Sequence, residues 1–160
     1  LLNMIKGDIK LIVYDFDGVM TDNRVFVTQD GKESVACNRG DGLGIDMIKG
    51  MSIPQIILST ETSNVVLQRA EKLGIFAIHG TGNKKNSLSS YCLKKDIFLK
   101  KVLYVGNDLN DMDVMRRVGF PICPADAHEK IRELSIHITK AKGGGGVVRE
   151  LADWLTNLDN

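Results

Sequence analysis

Two aspartates separated by one residue, Asp15 and Asp17 in "YDFDGVMTDN", follow directly on the apolar run "IKLIVY". On an extended segment residues i and i+2 point the same way, so both carboxylates can face one point in space. Like charges that close repel, and a buried strand end does not accept unpaired carboxylates, so the pattern calls for a cation. Other polar residues follow other apolar runs: Ser59 and Thr60 after "IPQIIL", Lys84 in "GTGNKKNSL", and Asn107-Asp108 with Asp111 in "YVGNDLND". Asp108 would add a third acid and complete a hard-cation oxygen site. Mg²⁺ suits it, because it takes one or two carboxylates, several waters and a substrate phosphate.

This set suits phosphoryl transfer through a covalent aspartyl-phosphate. A carboxylate attacking an anionic phosphate faces about 4 kcal/mol of repulsion per pair of unit charges at about 4 Å and an effective dielectric near ~20. A divalent ion and Lys84 would relieve it, and Ser59 can hydrogen-bond a phosphate oxygen. Asp15 is then the expected nucleophile, and Asp17 the acid that protonates the leaving oxygen and afterwards activates water. Taken singly, each residue has an ordinary explanation: a loop D-x-D, a solvated lysine, a helix-capping serine. Their order at successive strand ends carries the reading. A calcium loop does not fit, because Gly18 stands fourth in the run instead of sixth and no glutamate occupies the last ligand position.

Apolar runs of strand length at residues 9–14, 53–58, 75–78, 102–105 and 120–123 are each followed by helical spacing, at 63–73, 85–94, 111–118 and 127–134 among others. Further helices are expected at 42–49 and 147–158. Strand then helix, repeated, predicts a doubly covered parallel sheet, an α/β Rossmann-like three-layer sandwich, with ligands gathered at the carboxyl ends of the strands. "GLGIF" and "RRVGF" read as helix ends closed by a glycine. "RVFVTQDGKESVAC" alternates polar and apolar residues about Asp30-Gly31, which predicts a β-hairpin with a two-residue turn inserted after the first strand.

With 160 residues the chain is the size of one domain. It has 21 basic and 20 acidic side chains, so nothing global points to nucleic acid or an anionic membrane as partner. No apolar run reaches membrane-spanning length and no signal core opens the chain, so a cytoplasmic protein is expected. Cys37, Cys92 and Cys123 form no C-x-x-C pair and read as small buried hydrophobes. The opening "LLNMIKGDIK", with Met4 inside, is expected of a tag remnant or of a piece of a longer chain.

"DFDGVMTD", "ILSTE", "GTGNKKNSL" and "YVGNDLND" resemble the four ordered motifs of the haloacid dehalogenase superfamily of phosphatases. The hairpin, "RGDGLGI", "PADAH" and "GGGGVVRE" resemble its capless sugar-acid branch: octulosonate 8-phosphate phosphatases, nonulosonate 9-phosphate phosphatases and the C-terminal domains of some CMP-sialate synthetases. The resemblance runs from about residue 9 to residue 155. It implies Mg²⁺ dependence and a homotetramer whose hairpins close a small barrel. It also implies Asp15 as nucleophile and metal ligand, Asp17 as acid/base binding metal through its carbonyl, and Ser59 and Lys84 as phosphate contacts. Gly143, Gly144, Gly145, Gly146 and Arg149 correspond to a glycine-rich segment that reaches a neighbouring subunit's site.

For substrate choice, the octulosonate enzymes resemble "TGR" where this chain has Ser59-Thr60-Glu61, and the nonulosonate branch resembles glutamate there with an arginine and a lysine on the next helix, matched by Arg69 and Lys72. A glutamate suits sugar hydroxyls, and Arg69 or Lys72 a substrate carboxylate. The substrate expected is a nonulosonate 9-phosphate of the sialic acid or KDN type, with octulosonate 8-phosphate as the alternative. One departure stands out: the family has Gly-Asp-Asp at its fourth motif, this chain Gly106-Asn107-Asp108. Either Asn107 ligates through its amide oxygen with weaker affinity, or Asp108 takes over. A weakly active tetramerisation module detached from a cytidylyltransferase is therefore the competing expectation. A receiver-like signalling domain is disfavoured by the hairpin and the D-x-D spacing.

Overall fold

The computed structural model describes residues 7–156. Met4 and the expected helix end at Leu158 lie outside the described residues. Six parallel strands form the central sheet: β1 (Leu11–Tyr14), β4 (Gln55–Leu58), β5 (Phe76–Ile78), β6 (Val102–Val105), β7 (Phe120–Cys123) and β8 (His137–Ile138), in the order β5-β4-β1-β6-β7-β8. The α/β sandwich expected from the strand–helix rhythm is the fold observed. β8, only two residues long, was not foreseen.

β1 lies at the middle and is buried over its whole length. Its residues alternate between layers with the period of two that a strand imposes. Ile12 and Tyr14 join a core with Ile45, Ile48, Val66, Val148, Leu151 and Leu155. These come from helices α1 (Arg39–Lys49), α2 (Val65–Leu73) and α6 (Val147–Thr156). Leu11 and Val13 face the other core, with Leu88, Cys92, Val114 and Ile131, supplied by α3 (Lys84–Lys94), α4 (Met112–Met115) and α5 (Glu129–Leu134). The one hydroxyl in the first core is satisfied: Tyr14 donates to Gln55 Oε1 at 2.7 Å, and Gln55 Nε2 donates to the Ile45 carbonyl at 3.0 Å.

Two glycines expected to close helices behave differently. Gly74 ends α2 in the left-handed region, φ 63°, as "GLGIF" predicts. Gly119 has no positive φ and closes no helix, since α4 stops at Met115. A Cβ on Gly119 would stand 1.9 Å from the Lys100 carbonyl oxygen, so close approach of two backbones requires the glycine.

The hairpin is present as β2 (Phe26–Val27) and β3 (Glu33–Ser34), with Val27 paired to Glu33. Its turn differs from expectation. Thr28 N–H donates to Lys32 O and Gly31 N–H to Thr28 O, both at 2.9 Å, leaving three loop residues. Gly31 has φ 78° while Asp30 does not enter the positive region. A two-residue type I′ turn needs positive φ at both central residues, whereas a three-residue loop needs one glycine in that region.

Candidate active site

Asp15 is the first residue beyond β1, and its N–H still pairs with Val105 O of β6 at 2.9 Å, so the strand delivers it rigidly. Lys84 opens α3 behind the cap Asn83, whose side chain accepts from Asn86 N. Lys84 Nζ sits 2.7 Å from Asp15 Oδ1 and 2.7 Å from Asp111 Oδ1. Asp111 is fully buried and takes three further donors: Tyr104 Oη at 2.7 Å on Oδ1, and the backbone N–H of Asn107 (2.9 Å) and Asp108 (3.3 Å) on Oδ2. One ammonium thus serves two buried carboxylates, and the cluster is short of positive charge.

That shortage sets the protonation behaviour. Burial and then the Asp111 charge push the Asp15 carboxyl up to about 8, against the opposing pull of Lys84. Burial works to lower the Lys84 ammonium's pKa, but Asp15 and Asp111 outweigh it and hold it above its ordinary value. A divalent cation beside Asp15 would supply the missing charge and favour the ionised carboxylate.

The residues present fit such an ion. The Asn107 side-chain amide stands 3.0 Å from the Asp17 carbonyl oxygen and 3.1 Å from Asp15 Oδ2. With nitrogen inward it donates to both; with oxygen inward, three acceptors converge, an arrangement that a cation reconciles. Adjacent oxygen ligands around an octahedral Mg²⁺ at about 2.0–2.1 Å lie about 2.9 Å apart, close to these spacings. Gly18 lets the loop pass: its φ is 79°, and a Cβ there would come within 1.9 Å of Asn107 Nδ2.

The cleft above this floor is lined by Asp15, Asp17, Asn23, Ser59, Thr60, Asn107, Asp108 and Asn110. Asp17 is half-buried, and Thr21 Oγ1 donates to its Oδ1 at 3.2 Å. Burial raises its pKa against that hydrogen bond, and Glu61 adds in the same direction. That direction suits a carboxyl that must carry a proton to a leaving group. Ser59 is buried; its Oγ accepts from Glu61 N–H at 3.1 Å, which leaves its own proton to donate.

The expectations at the fourth motif divide. Asn107, not Asp108, stands against Asp15 and Asp17. Asp108 is exposed at the rim, and its Oδ1 accepts from Leu109 N–H at 2.7 Å in a reciprocal cap with Asp111. That carboxylate is engaged in capping the 3₁₀ turn Leu109–Asp111 while it lines the cleft. Asp111 itself was visible in the sequence only as a neighbour of Asp108. Asking which buried acid could balance a buried Lys84 would have singled it out.

Arg69 and Lys72 are not brought to this cleft. They line a separate one with Cys37, Arg39, Gly42 and Leu73, and Arg69 Nη2 donates to Asn38 O at 3.0 Å. Within this chain the glycine segment is not part of that cleft's lining either. Gly143 to Gly146 form an internal loop leading into α6, and Gly143 and Gly144 pack on the chain's own Asp17–Asp22 loop, with Gly144 N–H donating to Val19 O at 3.0 Å. A Cβ on Gly143 would meet Gly18 O at 2.2 Å and one on Gly144 would meet Asp22 N at 2.5 Å, so these two glycines serve close packing. Arg149 donates to Asp153, and its N–H to Asp41 Oδ1, which caps α6.

Comparison with known proteins agrees with this geometry. Residues 52–151 match the family model of the haloacid dehalogenase-like hydrolases. The 3-deoxy-D-manno-octulosonate 8-phosphate phosphatase of Escherichia coli K12 is 35% identical over 149 residues, covering 92% of this chain and 79% of that one. A solved HAD family hydrolase from Streptomyces avermitilis is 43% identical with a TM-score of 0.91, over 93% of this chain and 86% of the other. The Moraxella catarrhalis octulosonate 8-phosphate phosphatase, solved with magnesium, phosphate and KDO, is 32% identical with a TM-score of 0.92, over 98% of this chain and 90% of its own.

Proposed function

We propose a substrate and a division of labour for this chain, which belongs to the haloacid dehalogenase-like hydrolases and is a phosphoric monoester hydrolase. The substrate is the terminal phosphate ester of a 3-deoxy-2-ulosonic acid, with a nonulosonate 9-phosphate preferred. The observation that carries the reading is Lys84 bridging buried Asp15 and Asp111 directly beneath an open polar cleft. Asp15 attacks phosphorus, the ester P–O bond breaks, and Asp17 gives its proton to the departing oxygen. Asp17 then takes a proton from water, which attacks phosphorus and breaks the bond to Asp15, releasing phosphate. Ser59 and Thr60 hold phosphate oxygens, and Lys84 offsets the charge on Asp15.

Asp15 Oδ2, the Asp17 carbonyl and the Asn107 amide oxygen would hold Mg²⁺. The bound ion supplies charge neutralisation and orientation of the phosphate. Support for a divalent ion includes the magnesium and phosphate in the Moraxella relative.

Glu61 beside the cleft favours the nine-carbon substrate, since a carboxylate accepts from sugar hydroxyls. The names of the E. coli and Moraxella relatives favour octulosonate 8-phosphate as the second reading. A purely structural role has no use for a buried lysine between two carboxylates. The exposed apolar residues Val25, Phe26 and Val27 of the hairpin support self-association, with a tetramer as the expected size. Phosphate release from both sugar acids, with Mg²⁺ and with EDTA, tests the assignment. Metal-dependent release that is faster with the nine-carbon ester is expected; faster release from the eight-carbon ester selects the second reading, and none from either overturns both.

A further inference from the structure

We infer that the hairpin walls a second compartment of the cleft, a carboxylate-lined pocket for the neutral, hydroxylated part of the leaving group, with Glu33 as its specificity-determining residue. The inference rests on the sugar-acid phosphatase reading above. Asp17 and Asn23 line both the phosphate cleft and an adjoining pocket whose other walls are Arg24, Val25, Glu33, Val35, Glu61 and Val65. Asp17 protonates the leaving oxygen, so the carbon chain on that oxygen leaves the phosphate on Asp17's side. The adjoining pocket begins there.

The wall follows from strand periodicity. Glu33 on β3 and Val35 just past its end are two residues apart, and both line this pocket. Charge then sets what the pocket accepts. Glu33, Glu61 and Asp17 stand against a single cation, Arg24, whose guanidinium is engaged by Asp22 through Nε at 2.8 Å and Nη2 at 2.6 Å. The compartment is left negative. It repels a carboxylate or second phosphate close to the ester, and its carboxylates accept from hydroxyls, while the valines offer apolar surface to a sugar's C–H edges. A substrate's own carboxylate must therefore lie beyond it.

Three esters test this: the sugar-acid phosphate that the protein hydrolyses, p-nitrophenyl phosphate, which has no hydroxyls, and 3-phosphoglycerate, whose carboxylate lies near the ester. With Glu33→Gln the ratio of kcat/KM for the sugar acid to that for the aryl phosphate falls about tenfold, mainly through KM. With Glu33→Arg the corresponding ratio for 3-phosphoglycerate rises about tenfold. Thermal unfolding checks that each variant folds, and either one alone reports the pocket. Ratios within about twofold of the parent's, while aryl phosphate is still hydrolysed, overturn this inference and leave the phosphatase reading standing. A parent protein that hydrolyses none of the three overturns the phosphatase reading, and this inference with it.

Discussion

Asp15, Lys84 and Asp111 are each at most 4% exposed and joined by 2.7 Å contacts, whereas Phe26 and Val27 on the hairpin are 64% and 62% exposed on a strand of two residues. The first region is a charge cluster in which no member can change without stranding another in a low-dielectric interior. The second is a wall whose residues answer to solvent and to whatever binds there. The contrast separates the two tasks of the site: the buried floor holds the reacting groups in one geometry, and the exposed wall can vary to suit the leaving group.

The largest effect expected comes from the floor. Lys84→Met leaves two buried carboxylates without their cation, lowers stability by about 3–5 kcal/mol and abolishes phosphate release, as urea unfolding and a phosphate assay would record. Next comes the metal position. Asn107→Ala raises the Mg²⁺ concentration for half-maximal activity roughly tenfold or more, whereas Asp108→Asn, which keeps the cap, leaves it within about twofold.

A pH dependence follows. Asp15 has a carboxyl at about 8 in the fold against 3.8 in a free chain, and Asp41, a buried residue of α1 that caps α6, lies at about 6. Between these limits the folded protein holds protons that the unfolded chain has released, so stability falls as pH rises from about 4 to about 8. Urea midpoints at pH 5 and pH 8 without metal measure the fall, and Mg²⁺ flattens it. The smallest effect belongs to the wall: Phe26→Ser changes stability by within about 0.5 kcal/mol, and reduces self-association in sedimentation.

Local pattern carried most of the scaffold. Apolar runs marked β1, β4, β5, β6 and β7 within two residues of their observed ends, and Asp15, Asp17, Ser59 and Lys84 do converge, because each follows a parallel strand of one sheet. What escaped the sequence depends on contacts between distant segments. Gly119 looks like a helix stop but is set by the Lys100 backbone, and Gly143 by the Gly18 carbonyl. Asp108 and Asp111 are chemically identical three residues apart, and only the tight turn between them decides which is buried with Lys84. Glu33 lies on the hairpin, which reaches the cleft only through the tertiary fold.

The central claim is that Asp15 becomes phosphorylated in each turnover. Acid quenching during turnover, borohydride reduction and peptide mass spectrometry convert an aspartyl-phosphate into homoserine at the modified position. Homoserine at position 15, dependent on substrate and Mg²⁺, is the result predicted; phosphate release with residue 15 unmodified, or modification of another carboxylate, would contradict it.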